Sequence, residues 1–207
     1  MVKAIVLAAG ESRRMGTPKV FLSDGAGHLF ITRILHTFHD AGVSDLTIVS
    51  GSLHERIVRA VVADAPRGAL IRFARNPDPT RGQLSSLLRG LDAADSPGVD
   101  AVLVTLVDVP FAARGTVEAV VDAFRRMHAP IVRPAHGERH GHPVLFAKPL
   151  FEELRRADPA YGAKSVLRAH AEEILNLDVD DRGAFMDLDT PDEYETAIRS
   201  GNFSRTP

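Results

Sequence analysis

Lys3-Ala4-Ile5-Val6-Leu7-Ala8-Ala9-Gly10-Glu11-Ser12-Arg13-Arg14-Met15-Gly16-Thr17-Pro18-Lys19 is the stretch on which the reading of the fold turns. From Ala4 to Ala9 it is apolar without a break, where a half-exposed strand would alternate. It therefore reads as a strand covered on both faces, the kind that parallel sheets use. Outward from it, Phe30, Ile31, Ile34, Leu35 and Phe38 recur at helical spacing, Gly42 gives a stop signal, and Leu46-Thr47-Ile48-Val49 is a second apolar run. The alternation goes on. Ile57, Val58, Val61 and Val62 predict a helix, Leu70-Ile71-Arg72-Phe73 a strand, Leu84 to Leu91 a helix and Ala101 to Val107 the most apolar strand of the chain. Val117, Val120, Val121 and Phe124 mark one face of a helix, followed by a short strand at Pro130-Ile131-Val132. Beyond Arg133 the pattern loosens into a Gly/His-rich loop, a strand at Pro143 to Phe146, two short helical stretches and a closing helix from about Pro191 to Ile198. Such a rhythm predicts an α/β fold, an open and mostly parallel sheet with helices on both faces, whose ligands bind outside the carboxyl ends of the strands. No linker or repeat divides the chain, so one domain is expected over residues 1–200, with a flexible C-terminal tail at 201–207.

Composition narrows the function. The chain has 207 residues, 44% hydrophobic and 25% charged, which is globular and excludes disordered, collagenous and coiled-coil classes. Lys and Arg number 25 against 27 Asp and Glu, a net charge of −2, so no overall basic field holds a nucleic acid or an anionic membrane surface. No apolar run approaches the roughly 20 residues of a membrane span. With no cysteine there is neither a disulfide framework nor a thiolate nucleophile, which points to the cytoplasm. The expected partners are small molecules, with no nucleic acid and no membrane.

The segment after the first strand looks like a phosphate grip. Gly10 and Gly16 let backbone N–H groups approach an anion, while Arg14 and Lys19 bring the charge a polyphosphate needs. The segment is not a Walker A loop, because no Gly-Lys-Ser/Thr follows, and its glycines are too widely spaced for the dinucleotide fingerprint. A dinucleotide-dependent oxidoreductase is further disfavoured by Ser50-Gly51-Ser52, where an acidic ribose ligand would stand. Asp108 ends the most apolar strand just ahead of Pro110, so its carboxylate emerges at the ligand edge. In the loop His136-Gly137-Glu138-Arg139-His140-Gly141-His142 the histidine spacing fits no standard zinc pattern. His36 and His39 read as surface or packing residues, and Ser12 and Ser85 lack the His and Asp partners of a nucleophilic serine.

The pattern Leu-Ala-Ala-Gly-x-Ser-x-Arg-Met-Gly-x-Pro-Lys after a first strand resembles the molybdenum-cofactor cytidylyltransferases and guanylyltransferases. Four further segments match in order: Asn76-Pro77 with Gly82-Gln83-Leu84-Ser85-Ser86-Leu87, then Leu106 to Pro110, Gly141 to Phe146, and Asp187-Leu188-Asp189-Thr190-Pro191-Asp192. The resemblance covers nearly the whole chain. It implies a Rossmann-like three-layer αβα sandwich of the nucleotide-diphospho-sugar transferase type, with one antiparallel strand near residues 141–146. It also implies nucleotide binding by Leu7, Ala8, Ala9, Gly10, Glu11, Ser12, Arg13, Arg14, Lys19, Asn76, Gly82, Ser85 and Ser86, and acceptor binding by Arg139, Gly141, His142 and Pro143. Guanylyl-transferring members usually carry Gly at the position of Ala9 and a Gly-Pro-Leu-like step at Leu84-Ser85-Ser86, so both departures point to CTP.

The activity expected is transfer of a nucleoside monophosphate, CMP from CTP, to a phosphorylated acceptor such as molybdopterin, with release of pyrophosphate. Mg²⁺, or Mn²⁺ in its place, would be held by Asp108 and Asp189, with Asp187 as the fallback ligand, since a hard cation takes one or two carboxylates plus substrate phosphates. Arg14, Lys19 and Asp108 are the catalytic candidates. The competing expectations are GTP as donor, or a sugar-phosphate, alditol-phosphate or cobinamide-phosphate as acceptor. Transient contact with an apo-enzyme that receives the cofactor is the one macromolecular partnership expected.

Overall fold

Residues 1–10, 12 and 14–201 are described by the computed structural model; Glu11, Arg13 and residues 202–207 lie outside the described residues. The apolar runs read from the sequence are the centre of the sheet. β1 (Val2–Ala8) lies between β2 (Asp45–Ser50) and β4 (Ala101–Leu106), with β3 (Leu70–Arg75) beyond β2, and all four run parallel. β1 sends alternate side chains to opposite faces, as a strand must. Ala4, Val6 and Ala8 pack with α1 (Phe30–Asp40), α2 (His54–Ala63) and α4 (Arg114–Met127). Ile5 and Leu7 pack with α3 (Gln83–Ala94), α5 (Phe151–Arg156) and α6 (Lys164–Ala169). The result is three layers, helices on either side of one sheet, as expected.

The antiparallel strand is β7 (Val144–Ala147), which pairs with β4 on one side and β5 (Ile131–His136) on the other. The short β6 (Arg139–His140) folds back on the far end of β5. Between β6 and β7 the chain passes through Gly141-His142-Pro143, where Gly141 N–H still donates to the Pro134 carbonyl of β5 and His142 N–H turns to the Ala184 carbonyl. Two strands were not foreseen, the two-residue β6 and β8 (Ile174–Asp178), which adds parallel to β5 at the sheet's end. The side chains of β8 are half-buried or exposed, so it lacks the unbroken apolar run that announces β1 and β4.

α7 (Pro191–Ser200) closes the chain over a small core of Phe30, Phe111, Leu188 and Ala197. Among the described residues no helix is long and apolar enough to cross a membrane.

The entry to α1 is fastened by one buried acid. Asp24 accepts backbone N–H groups from Ala26 and His28 and pairs with Arg33 at 3.2 Å, while Arg33 Nε donates to the Pro110 carbonyl two residues past Asp108. Burial opposes the charge of Asp24, but these hydrogen bonds outweigh it and hold its carboxyl below the ordinary value of 3.8. Asp24→Ala should cost about 3 kcal/mol of stability near pH 7, read by denaturant unfolding. Because the folded-state value is depressed, the contribution is complete above the ordinary carboxylate range and disappears as pH falls through the lowered one. The gap between wild type and variant should therefore narrow in acid.

Candidate active site

The carboxyl ends of β1 and β4 lie side by side, Leu7 level with Leu106, and the segments that leave them build the site. After β1 the chain turns at Ser12, whose carbonyl accepts Met15 N–H and whose hydroxyl accepts Lys19 N–H at 3.0 Å. Gly16 has φ +69°, a conformation glycine adopts without a Cβ penalty, and Met15 is buried beneath the turn. The turn thereby delivers the Lys19 side chain inward, where it is only 9% exposed. Its ammonium donates to Asp108 Oδ2 at 3.2 Å and to Asp189 Oδ1 at 2.5 Å. Arg14, on the exposed side, donates to Asp189 Oδ2 at 2.6 Å.

Asp108 and Asp189 are brought together by backbone. Leu188 N–H donates to the Asp108 carbonyl at 2.9 Å, so the segment before α7 lies against the end of β4. Thr190 forms the cap of α7, in a capping box with Glu193, and Glu193 Oε2 also accepts the Asp189 N–H. Thr190 rather than Asp189 takes the capping role, which leaves the Asp189 carboxylate for Lys19 and Arg14. The hydrogen bond from Lys19 outweighs burial and draws the Asp189 carboxyl below its ordinary value. Asp187 moves the other way: desolvation, reinforced by the charges of Asp108 and Asp189, raises it. Three carboxylates thus face a single buried ammonium.

Asp108 Oδ1 is sealed from solvent and has no hydrogen-bond partner among the described residues. A buried carboxylate oxygen left in that condition costs free energy, and a hard cation would satisfy it. The donor set at this point consists of carboxylate oxygens, which suits Mg²⁺ or Mn²⁺ rather than a soft metal.

Beside Asp108 opens a cavity of about 240 Å³ lined by Leu7, Ala9, Gly10, Ser12, Lys19, Pro79, Gly82, Gln83, Ser86, Leu106, Val107 and Asp108. Its far wall is the N-terminus of α3, whose cap is Gly82 with φ +90° and no capping side chain. The helix therefore presents its first N–H groups toward the cavity. Asn76 stands behind this wall, buried, giving its two amide hydrogens to Ser85 Oγ and Ser86 Oγ at 2.9 Å each. Ser85 spends its own hydrogen on the Gly82 carbonyl at 2.7 Å. Of these three, Ser86 lines the cavity, while Asn76 and Ser85 brace the wall. Ala8, one residue before Ala9, is buried in the core on the face of α1. Pro79 lines the cavity without having been singled out, and Gln83, quoted only as part of the matched segment, lines it from the first position of α3.

Arg139, Gly141, His142 and Pro143 sit across the sheet edge. His142 N–H donates to the Ala184 carbonyl at 2.8 Å, and Arg139 donates to the Phe185 carbonyl with its guanidinium 5.5 Å from the Phe185 ring centre. Burial lowers the His142 pKa, partly opposed by the charge of Asp108, so the ring is neutral at pH 7. His136, in the same loop, pairs loosely with Asp178 at 3.7 Å, and no metal-binding cluster forms there among the described residues. Asp181 escaped notice in the sequence. It caps α4 through Ala113 N–H and Thr116 Oγ1 while accepting Gly183 N–H, and so anchors the segment that carries Asp187 and Asp189.

The sequence model of the MobA-like NTP transferase domain matches residues 4–174. The chain belongs to that family. It is a nucleotidyltransferase, and the mostly parallel sheet with its antiparallel strand is the family's architecture. Among curated relatives, this MobA-like chain is 25% identical over 205 residues to the molybdenum cofactor cytidylyltransferase of Escherichia coli K12, covering 95% of each. It is 31% identical over 166 residues to a probable molybdenum cofactor guanylyltransferase of Mycobacterium avium, covering 78% of this chain and 77% of the relative. Among solved structures, Rv0371c of Mycobacterium tuberculosis H37Rv superposes with a TM-score of 0.74 at 28% identity over 96% of this chain and 97% of that one. A crystal structure of the same protein in complex with manganese superposes with a TM-score of 0.73 at 25% identity, over 96% and 97% of the two chains.

Proposed function

We propose that this MobA-like domain transfers CMP from CTP to a phosphorylated acceptor of the molybdopterin kind, with Mg²⁺ or Mn²⁺ held by Asp108 and Asp189. The observation that carries the reading is the buried Asp108 Oδ1, without a hydrogen-bond partner among the described residues, on a residue that lines a cavity walled by a phosphate-grip loop. The manganese complex of the mycobacterial relative supports a divalent ion. The Escherichia coli relative supports the cytidylyl reaction. When bound, the ion would neutralise charge on the phosphates of the donor.

The residues of the chain supply position and charge. Lys19 gives up its carboxylate partners for the triphosphate oxygens, and Arg14 reaches the same oxygens from the exposed side. An ionised oxygen of the acceptor phosphate attacks the α-phosphorus in line. A P–O bond forms there as the bond to the β-phosphate breaks, and its electron pair leaves with pyrophosphate. No proton need move, because the acceptor phosphate is ionised at neutral pH. Arg139 and the neutral His142 face the acceptor, and the Phe185 ring gives a flat apolar surface for a pterin.

Ala9 lines the cavity, and its methyl group leaves less room for a purine. Ser86, whose hydroxyl oxygen accepts from Asn76, can donate to a pyrimidine edge. The test is pyrophosphate release with molybdopterin, measured with CTP and GTP in wild type and Ala9→Gly. Wild type should prefer CTP, and Ala9→Gly should reduce that preference by roughly tenfold, the worth of one methyl group in a base pocket. A preference of wild type for GTP would assign the guanylyl reaction, which the 31% identity to a probable guanylyltransferase favours, and equal use of both would overturn the base reading of Ala9. Pyrophosphate release with a sugar-phosphate and none with molybdopterin would overturn the acceptor.

A further inference from the structure

His28, His36 and Asp64 come from three separate places in the chain and meet on the surface between α1 and α2. His28 lies in the turn before α1, His36 on α1, and Asp64 at the C-terminal end of α2. His28 Nδ1 is 2.8 Å from Asp64 Oδ2, and His36 Nε2 is 3.3 Å from Asp64 Oδ1. The two rings are 4.7 Å apart, and one donor atom from each of the three residues lies within 4.8 Å of the others. Each imidazole nitrogen thus faces a different oxygen of one carboxylate, and His36 Nε2 also lies 3.2 Å from the Asp64 backbone carbonyl, a contact that an ion would replace.

We propose that these three side chains form a binding site for a first-row transition cation of the Zn²⁺ class, distinct from the nucleotide site. Bond lengths of about 2.0–2.2 Å to nitrogen and oxygen place tetrahedral donors about 3.4 Å apart; the His–Asp separations of 2.8 and 3.3 Å lie near that spacing, and all three donors are within 4.8 Å of one another. Two imidazoles and one carboxylate suit zinc, nickel or cobalt, whereas the oxygen-only set around Asp108 suits Mg²⁺. The side chains are 39%, 31% and 39% exposed, so water can fill the remaining positions and the ion can enter without unfolding. The carboxylate is ready: burial raises its pKa, but hydrogen bonds from His28, Thr32 and His36 outweigh that and keep Asp64 ionised. Each imidazole can move its proton to the nitrogen facing away, so binding requires no other group to ionise. The site would staple α1, which follows the phosphate-grip loop, to α2.

The experiment is titration of the intact protein with Zn²⁺ by calorimetry, and with Co²⁺ by visible absorption. The proteins compared are wild type, Asp108→Asn, His36→Gln and the double variant His28→Gln/His36→Gln. One equivalent should bind to wild type and to Asp108→Asn with like affinity and an intense Co²⁺ band. His36→Gln should weaken binding by at least about 30-fold, and the double variant should abolish the band. Zn²⁺ should also raise the melting temperature of wild type and leave the double variant unmoved. No binding by wild type, titrations unchanged in the histidine variants, or loss in Asp108→Asn alone would each overturn the site. Should a histidine variant fail to fold by circular dichroism, carbethoxylation of wild type decides. Zn²⁺ must then protect His28 and His36 and leave exposed His136 reactive; equal labelling with and without the ion overturns the proposal.

Discussion

Asparagine at position 108 should leave a folded protein that has lost roughly 10³-fold in turnover, about 4 kcal/mol of transition-state stabilisation. The substitution keeps the size of the side chain and the carbonyl that receives Leu188 N–H, so the segment bearing Asp189 stays in place. What it removes is the charge. Asp108 Oδ1 is buried without a partner among the described residues, and an amide in its place binds a hard cation far less well than a carboxylate. Nucleotide should then stabilise wild type against heat in the presence of Mg²⁺ and stabilise the variant much less. The same charge feeds the raised pKa of Asp187, so its loss relieves repulsion in the free protein. The variant should accordingly melt no lower than wild type while being nearly inactive. Wild-type turnover in Asp108→Asn would remove the basis for the metal reading.

Gly183→Ala should act in the opposite manner, through the fold. A Cβ at this position would stand 1.9 Å from the Phe111 carbonyl oxygen and 2.4 Å from the carbonyl carbon. Both are backbone atoms, so no side-chain rotation relieves the clash. The segment would have to move away from Phe111, whose ring lies in the small core with Phe30 and Leu188. A cost of at least about 3 kcal/mol is expected. For a chain of this size that is a fall in melting temperature of roughly 6–12 °C, measured by circular dichroism. Activity should fall as well, because residues 183–189 lead from the Asp181 anchor to Asp187 and Asp189. A variant that melts within a degree of wild type would contradict the packing described at this glycine.

The parts of the molecule that the sequence made legible share one property: their signal is local. β1 and β4 are covered on both faces, so burial writes an unbroken apolar run. β8 sits at the end of the sheet with half-exposed side chains, and β6 is two residues long, so neither leaves a run to read. The site divides in the same way. Arg14, Lys19, Asp108 and Asp189, singled out in advance, converge within hydrogen-bond distance. Asp181 and Gly183 hold them there through partners far along the chain that no spacing rule connects, whereas Glu193 acts through the short Thr190-x-x-Glu193 capping pattern. His36 looked like a surface or packing residue because Asp64 is 28 positions away and His28 belongs to a different element.

Lys19 already fills the gap between Asp108 and Asp189 with a positive charge tethered to the chain. The resting site is therefore self-compensated, and a bare divalent ion arriving from solution must compete with an ammonium that cannot diffuse away. A triphosphate changes that balance, since it offers Lys19 new oxygens at the moment it brings its own counter-ion. Cation and nucleotide should accordingly enter as a joint cargo. On the proposed reading, an intact Lys19 would hold the aspartates back from stray cations and release them only when a donor arrives, so Lys19→Ala should bind the bare divalent ion more tightly than wild type does.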